Sequence, residues 1–121
     1  MIFLKFFIKK KADFLITGTK SRKNPYFNIV EIRNKKIKII KETRKNIFTR
    51  QDTPKTYDMN ASIYIWNRKT LMNSKSVVAA SFRGVKGKVV LYEMPGSRSI
   101  DIDSELDFKL VEFLLKKKNN D

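Results

Sequence analysis

The stretch RSIDIDSELD, residues 98–107, holds the side chains whose types and spacing could do chemistry. It places four acidic residues in ten positions of a chain whose formal net charge is +15. Asp101 and Asp103 alternate with Ile100 and Ile102. In an extended strand, side chains two apart point the same way, with Cα atoms roughly 6.5 Å apart. The two carboxylates then share one face and the isoleucines the other. Carboxylates so placed repel each other unless a cation or several donors lie between them. A hard divalent ion such as Mg²⁺, held by carboxylates and by substrate phosphates, meets that need. The plainer reading has Asp103 assisting the next helix while Asp101 is solvated at a strand end. D-x-D pairs are common, and the pattern alone favours the plainer reading.

Composition narrows the remaining chemistry. The chain has no cysteine and no histidine. Disulfides, thiolate metal sites and imidazole catalysis are excluded. At 121 residues, one domain with a modest core is expected. Lys and Arg number 27 against 12 Asp and Glu. That balance suits nucleic acid, but the basic residues are spread along the chain, and a basic surface equally suits a small anionic substrate. MIFLKFFIKKK at the amino terminus lacks the charge order and cleavage site of a signal peptide. No window approaches the roughly 20 apolar residues of a membrane span, so a cytoplasmic protein is expected.

The elements that must position any site follow from the patterning. Residues 1–11 read as an amphipathic helix. ADFLITGT, residues 12–19, reads as a buried strand. Residues 28–32 and 37–40 read as two strands of a hairpin with its turn at 33–36. Residues 41–56 read as a polar loop. MNASIYIW, residues 59–66, alternates as a strand, with Ile63 and Ile65 opposite Ser62, Tyr64 and Trp66. A short helix is expected after it, then a strand over 88–95 and a short strand at SIDID. SELDFKLVEFLLKKK has Ser104 as cap, Asp107 three residues on, and Leu106, Leu110, Phe113 and Leu114 on one face. Its acidic start and lysine end match the helix dipole.

Three blocks carry a resemblance. RSIDIDSELDFKLVEFLL resembles the carboxyl-terminal signature of the acylneuraminate cytidylyltransferases, the CMP-sialic acid synthetase family. TRQDTPKTYDMNASIYIW, residues 49–66, resembles the family's R-Q-D-x-P motif, with Ala61-Ser62 where many members have Gly-Ala. ADFLITGTKSRKNPYFNIVE, residues 12–31, resembles the strand and loop that precede it. The resemblance covers residues 9–117. It implies an α/β fold, the carboxyl-terminal portion of a three-layer nucleotide-diphospho-sugar transferase (Rossmann-like) with a mixed sheet. It also implies transfer of CMP from CTP to a nine-carbon acidic sugar, with release of pyrophosphate.

Carried over, Asp101 and Asp103 are the catalytic metal ligands for Mg²⁺. Arg50, Gln51, Asn60 and Tyr64 fall on the sugar side. A guanidinium fork suits a carboxylate or phosphate. Gln51 and Asn60 could bond sugar hydroxyl or N-acyl groups, or merely fix their own loops. Tyr64 could line the sugar pocket or simply pack.

The family's glycine-rich phosphate loop and cytidine pocket find no counterpart here. Gly18, Gly84, Gly87 and Gly96 are the only glycines. The expectation is a single partial domain over 1–121, the carboxyl-terminal half of the enzyme. It would be a fragment, or one chain working with a separate amino-terminal half, with little activity alone. Residues 67–90 are a possible dimerisation extension, since the family forms homodimers. No membrane partner is expected. Two other readings are a basic nucleic-acid module and an inactive remnant. Tyr26, Phe27 and Trp66 do not cluster as in RNA-binding sheets, which weighs against the first.

Overall fold

The computed structural model describes residues 1–42, 49–74 and 82–119. By their contacts the residues form two compact units, Met1–Thr19 with Met59–Asp121, and Lys20–Asp58. The helices are α1 (Ile2–Lys9), α2 (Arg68–Asn73) and α3 (Glu105–Asn119). The strands are β1 (Phe14–Lys20), β2 (Val30–Arg33), β3 (Lys36–Ile39), β4 (Tyr57–Trp66) and β5 (Val89–Glu93). Short 3₁₀ turns lie at Arg50–Asp52 and Gly96–Arg98.

Strand β1 is central in a three-stranded sheet of order β4-β1-β5. It runs parallel to β5, with Phe14 opposite Val89 and Gly18 opposite Glu93. Parallel neighbours require a long crossover between them, and here the hairpin, β4 and α2 all intervene. The result is an α/β fold with a mixed sheet, consistent with the Rossmann-like class. The near-continuous apolar run of β1 is what a strand covered on both faces needs. Phe14, Leu15, Ile16 and Thr17 are all at most 4% exposed. Phe14 stacks on Trp66 at 3.9 Å and on Tyr64 at 6.2 Å. Helix α1 brings Phe3 and Phe6 edge-on to Tyr92 of β5.

Asp13 latches the entrance to β1. Its backbone N–H donates to Lys88 O at 2.8 Å, and the Lys88 N–H donates back to Asp13 Oδ2 at 2.7 Å. Thr70 Oγ1 donates to Asp13 Oδ1 at 3.2 Å, and the Asn67 N–H donates to Asp13 O at 2.8 Å. One residue thereby joins β1 to the starts of α2 and β5.

The hairpin of the second unit pairs Val30 with Ile39 and Ile32 with Ile37, antiparallel. Asn34 and Lys35 both have positive φ, as a two-residue primed turn demands. The expected turn at 33–36 is therefore in place.

Several expectations change. SIDID is not a strand: residues 99–103 have no regular structure. The turn at Gly96–Arg98 precedes them, and the N–H groups of Asp103 and Ser104 already donate to Asp107 Oδ2 at the start of α3. Most of the apolar face expected of α3 is open: Leu106 is 75% exposed, Phe113 63% and Leu110 46%, while Leu114 is half-buried. In β4, residues 63–66 are all half-buried, so both faces of that end of the strand are partly covered. The expected loop 41–56 contains the Arg50–Asp52 turn, and its residues 43–48 lie outside the described set. Of the possible dimerisation extension 67–90, residues 75–81 also lie outside it.

Gly87 has φ +147°, and a Cβ there would meet Asp13 Cβ and Oδ2 at 2.7 Å. A side chain is both strained and blocked by the latch. Gly87→Ala should lower stability by about 1–3 kcal/mol, read as an earlier midpoint in chemical denaturation.

Candidate functional site

The site residues named from the sequence fall into two groups, each inside one unit. Arg50 and Gln51 line an open cleft of about 1000 Å³ in the 20–58 unit. Asn60, Tyr64 and Asp101 line a smaller cavity of about 150 Å³ in the other unit, together with Ile16, Met59 and Ala61. Asp103 is not among the residues lining that cavity.

In the first group, local capping sets the geometry. The Thr49 N–H and Oγ1 donate to Asp52 Oδ2 at 3.0 and 2.8 Å, forming a capping box around the R-Q-D turn. The aspartate of R-Q-D is thus spent on the backbone, and the turn fixes Arg50 and Gln51. Arg50 Nη2 donates to Ser21 O at 2.6 Å, which leaves most of its five donors for a ligand. Asn24, only 4% exposed, braces the opposite wall. Its Nδ2 donates to Thr53 Oγ1 at 2.8 Å and to Pro54 O at 3.0 Å. Its Oδ1 accepts from the Tyr26 N–H at 2.9 Å.

In the second group, Asn60 is 5% exposed and its amide is used inside the protein. Its Oδ1 accepts from Thr17 Oγ1 at 2.6 Å and from the Ser62 N–H at 3.3 Å. Its Nδ2 donates to Ser99 Oγ at 2.9 Å. Asn60 therefore ties the central strand to the segment that leads into Asp101. Of the two roles open to it from sequence, this geometry supplies the supporting one. Tyr64 stacks on Phe14 and also lines the cavity, so it packs and borders the site at once.

The carboxylates of Asp101 and Asp103 are exposed, and among the described residues neither has a hydrogen bond or an ion pair. Among those residues there is also no group of three acidic side chains able to enclose a metal by itself. With SIDID not a strand, the extended geometry that set both carboxylates on one face does not apply; an exposed carboxylate suits an ion that takes one or two protein oxygens and completes its shell from water and phosphate, as Mg²⁺ does. The pair does not fit an all-protein cage. The next acid, Asp107, has a different task. It accepts from Ser104 Oγ at 2.6 Å and from the Ser104 N–H at 2.9 Å, completing the box expected at the start of α3.

Sequence reasoning missed Thr17, Asn24 and the Thr49–Asp52 box. The spacing T-x-x-D was a readable signal for the last. Thr17 carried none, because its partners lie 43 and 46 residues away in the chain; the turn from Asn24 to Tyr26 is local, but the Asn24 bonds to Thr53 and Pro54 span 29 and 30 residues.

These features describe an α/β protein with a basic cleft and a pair of unpartnered carboxylates. No protein-family model matches the chain. Two curated relatives do. It is 45% identical over 113 residues to post-translational flagellin modification protein B of Campylobacter coli, a match of 93% of this chain and 44% of that protein. It is 50% identical over 105 residues to the CMP-N,N'-diacetyllegionaminic acid synthase of Campylobacter jejuni subsp. jejuni serotype O:2, 87% of this chain and 41% of that protein. The chain thus spans less than half the length of either relative. Both likenesses extend over most of this chain, 93% and 87% of its length.

Asn60→Ala would leave the buried Thr17 hydroxyl without its amide partner. A loss of about 1–3 kcal/mol should appear in denaturation. A second expectation concerns pH. The Ser104 hydroxyl, with help from backbone N–H groups, holds the Asp107 carboxyl below its ordinary value of 3.8. The folded state thus favours the ionised form. Its contribution is complete above the ordinary value and is lost as pH falls through the lowered one. Helical circular dichroism should decline on acidification below that value, and Asp107→Asn should flatten the decline.

Proposed function

We propose that the chain is the carboxyl-terminal portion of a cytidylyltransferase that transfers CMP from CTP to a nonulosonic acid. The 50% identity to a CMP-N,N'-diacetyllegionaminic acid synthase carries this reading. The anomeric hydroxyl of the sugar would attack the α-phosphorus of CTP. A new P–O bond forms, the α–β bridge breaks, pyrophosphate leaves, and the hydroxyl proton passes to base. Asp101 and Asp103 would hold Mg²⁺, which supplies charge neutralisation on the phosphates when bound. Their lack of protein partners among the described residues suits that role.

Arg50 would pair its fork with the sugar carboxylate, the R-Q-D turn holding it in place. Gln51 beside it would bond a hydroxyl or N-acyl oxygen. Tyr64 would border the sugar pocket, and Asn60 would hold the Asp101 segment against the central strand. The fold would be the carboxyl-terminal part of a nucleotide-sugar transferase acting in the cytoplasm. The nucleotide-binding residues would come from the portion of the relatives that this chain does not match, in a homodimer or a complementing pair.

The test joins this chain to the unmatched amino-terminal portion of the Campylobacter jejuni relative and measures CMP-sugar formation. Asp101→Asn or Asp103→Asn should each lower kcat by about 100-fold. Arg50→Lys should raise KM for the sugar about tenfold with a smaller change in kcat. Full activity in both aspartate variants would overturn the metal assignment.

A further inference from the structure

Helix α1 is packed on one face only. Phe3 and Phe6 meet Tyr92 of β5 edge-on, at 4.7 and 5.1 Å. Lys88 Nζ donates to Lys10 O at 2.7 Å and fastens the end of the helix. The outward face is thus presented on an anchored element. A surface helix packed in this way normally turns a polar face to water. This one does not. Ile2 is 61% exposed, Leu4 43% and Ile8 64%. Leu4 and Ile8 lie one turn apart, and the exposed Lys5 and Lys9 stand beside them at the same spacing. Lys10 and Lys11 continue the basic run past the last turn, and no acidic residue occurs before Asp13. The Asp13 carboxylate takes the Thr70 hydroxyl and the Lys88 N–H. Among the described residues, no ion pair reaches Lys5, Lys9, Lys10 or Lys11.

Three described elements leave large aliphatic side chains open: α1, the hairpin and α3. The hairpin sets Glu31 between Val30 and Ile32, and α3 carries Glu105, Asp107 and Glu112. Helix α1 has no acid at all. The mixture on its outward face selects the occupant. A nucleic acid uses the lysines and leaves the aliphatic groups in water. The core of a protein interface takes the aliphatic groups but disfavours lysine. The surface of an anionic bilayer takes both. Aliphatic side chains enter the acyl boundary, lysine stems lie along it, and the ammonium groups stay among headgroups and water.

We propose that the outward face of α1 binds the surface of an anionic lipid bilayer, with Leu4 and Ile8 inserted and Lys5 and Lys9 on the headgroups. The lack of a long apolar run speaks against a span, not against a helix lying in the interface. The proposal does not depend on the transfer reading.

Sedimentation of the chain with sucrose-loaded vesicles tests it. Vesicles of equal parts phosphatidylglycerol and phosphatidylcholine should bind at least about tenfold tighter than phosphatidylcholine alone, and less tightly as salt is raised. Leu4→Gln/Ile8→Gln should weaken binding to the anionic vesicles about tenfold with unchanged circular dichroism. Lys5→Gln/Lys9→Gln should weaken it about as much and flatten its salt dependence. Lys36→Gln/Lys38→Gln removes the same charge from the hairpin and should leave binding within about threefold. In the unaltered chain, the anionic vesicles should protect Lys5 and Lys9 from acetylation but not Lys36. The proposal fails if anionic and neutral vesicles bind equally, or if the hairpin variant weakens binding as much as the α1 variants. Unchanged binding by Leu4→Gln/Ile8→Gln also overturns it, since plain charge is then enough. So does a lipid-free dimer that this variant separates into monomers while vesicle binding stays intact, which assigns the face to a second copy. CMP-sugar formation, by which the transfer reading is judged, is untouched by any of these outcomes.

Discussion

The hydrogen bond from Thr17 Oγ1 to Asn60 Oδ1, 2.6 Å long, lies where water does not reach: the two residues are 0% and 5% exposed. A buried polar pair is tolerated only when its members satisfy each other and every remaining donor and acceptor nearby. Here they do. The Thr17 hydroxyl also accepts from the Ile63 N–H at 3.3 Å, and the far end of the Asn60 amide reaches Ser99. No described buried side-chain nitrogen or oxygen is left without a partner. The bond thus sets where β4 lies against the central strand. Through Ser99 it also sets where the chain emerges toward Asp101. The Asp13 latch does the same work at the other end of β1.

Away from β1 the balance changes. The fully buried apolar residues are few: Ala12, Phe14, Leu15 and Ile16 form the described core. Large apolar side chains stay open on α1, on the hairpin and along α3. Helix α3 is held as a helix by its own chemistry: the Ser104–Asp107 box, two i,i+4 ion pairs and a lysine-rich end. Exposed pairs of that kind contribute little each. Local signals are sufficient to form such an element but not to bury its apolar stripe.

The same division runs through the chemistry. Among the described acids, some are spent on backbone geometry, some pair with nearby cations, and some hold no partner. Asp52 and Asp107 cap their turns, and Asp13 ties strands together. Asp101 and Asp103 hold no protein partner among the described residues. Charge left without a protein partner is where ligand chemistry can act.

From the sequence alone, element types followed wherever the deciding physics was local. The apolar run of β1, the hairpin with its turn, the capping box of α3 and the order of the motif blocks were all readable, because periodicity and caps act within a few residues. The IDID position was singled out by its own pattern and the R-Q-D position through resemblance. Only the structure decided that SIDID is not a strand, with the Ser99 N–H turned back to Gly96 and the Asp103 N–H to Asp107. It also decided that Asn60 supports β1 and that most of the face of α3 stands open. The role of Asn60 depends on partners 39 and 43 residues away, and residue spacing carries no record of them.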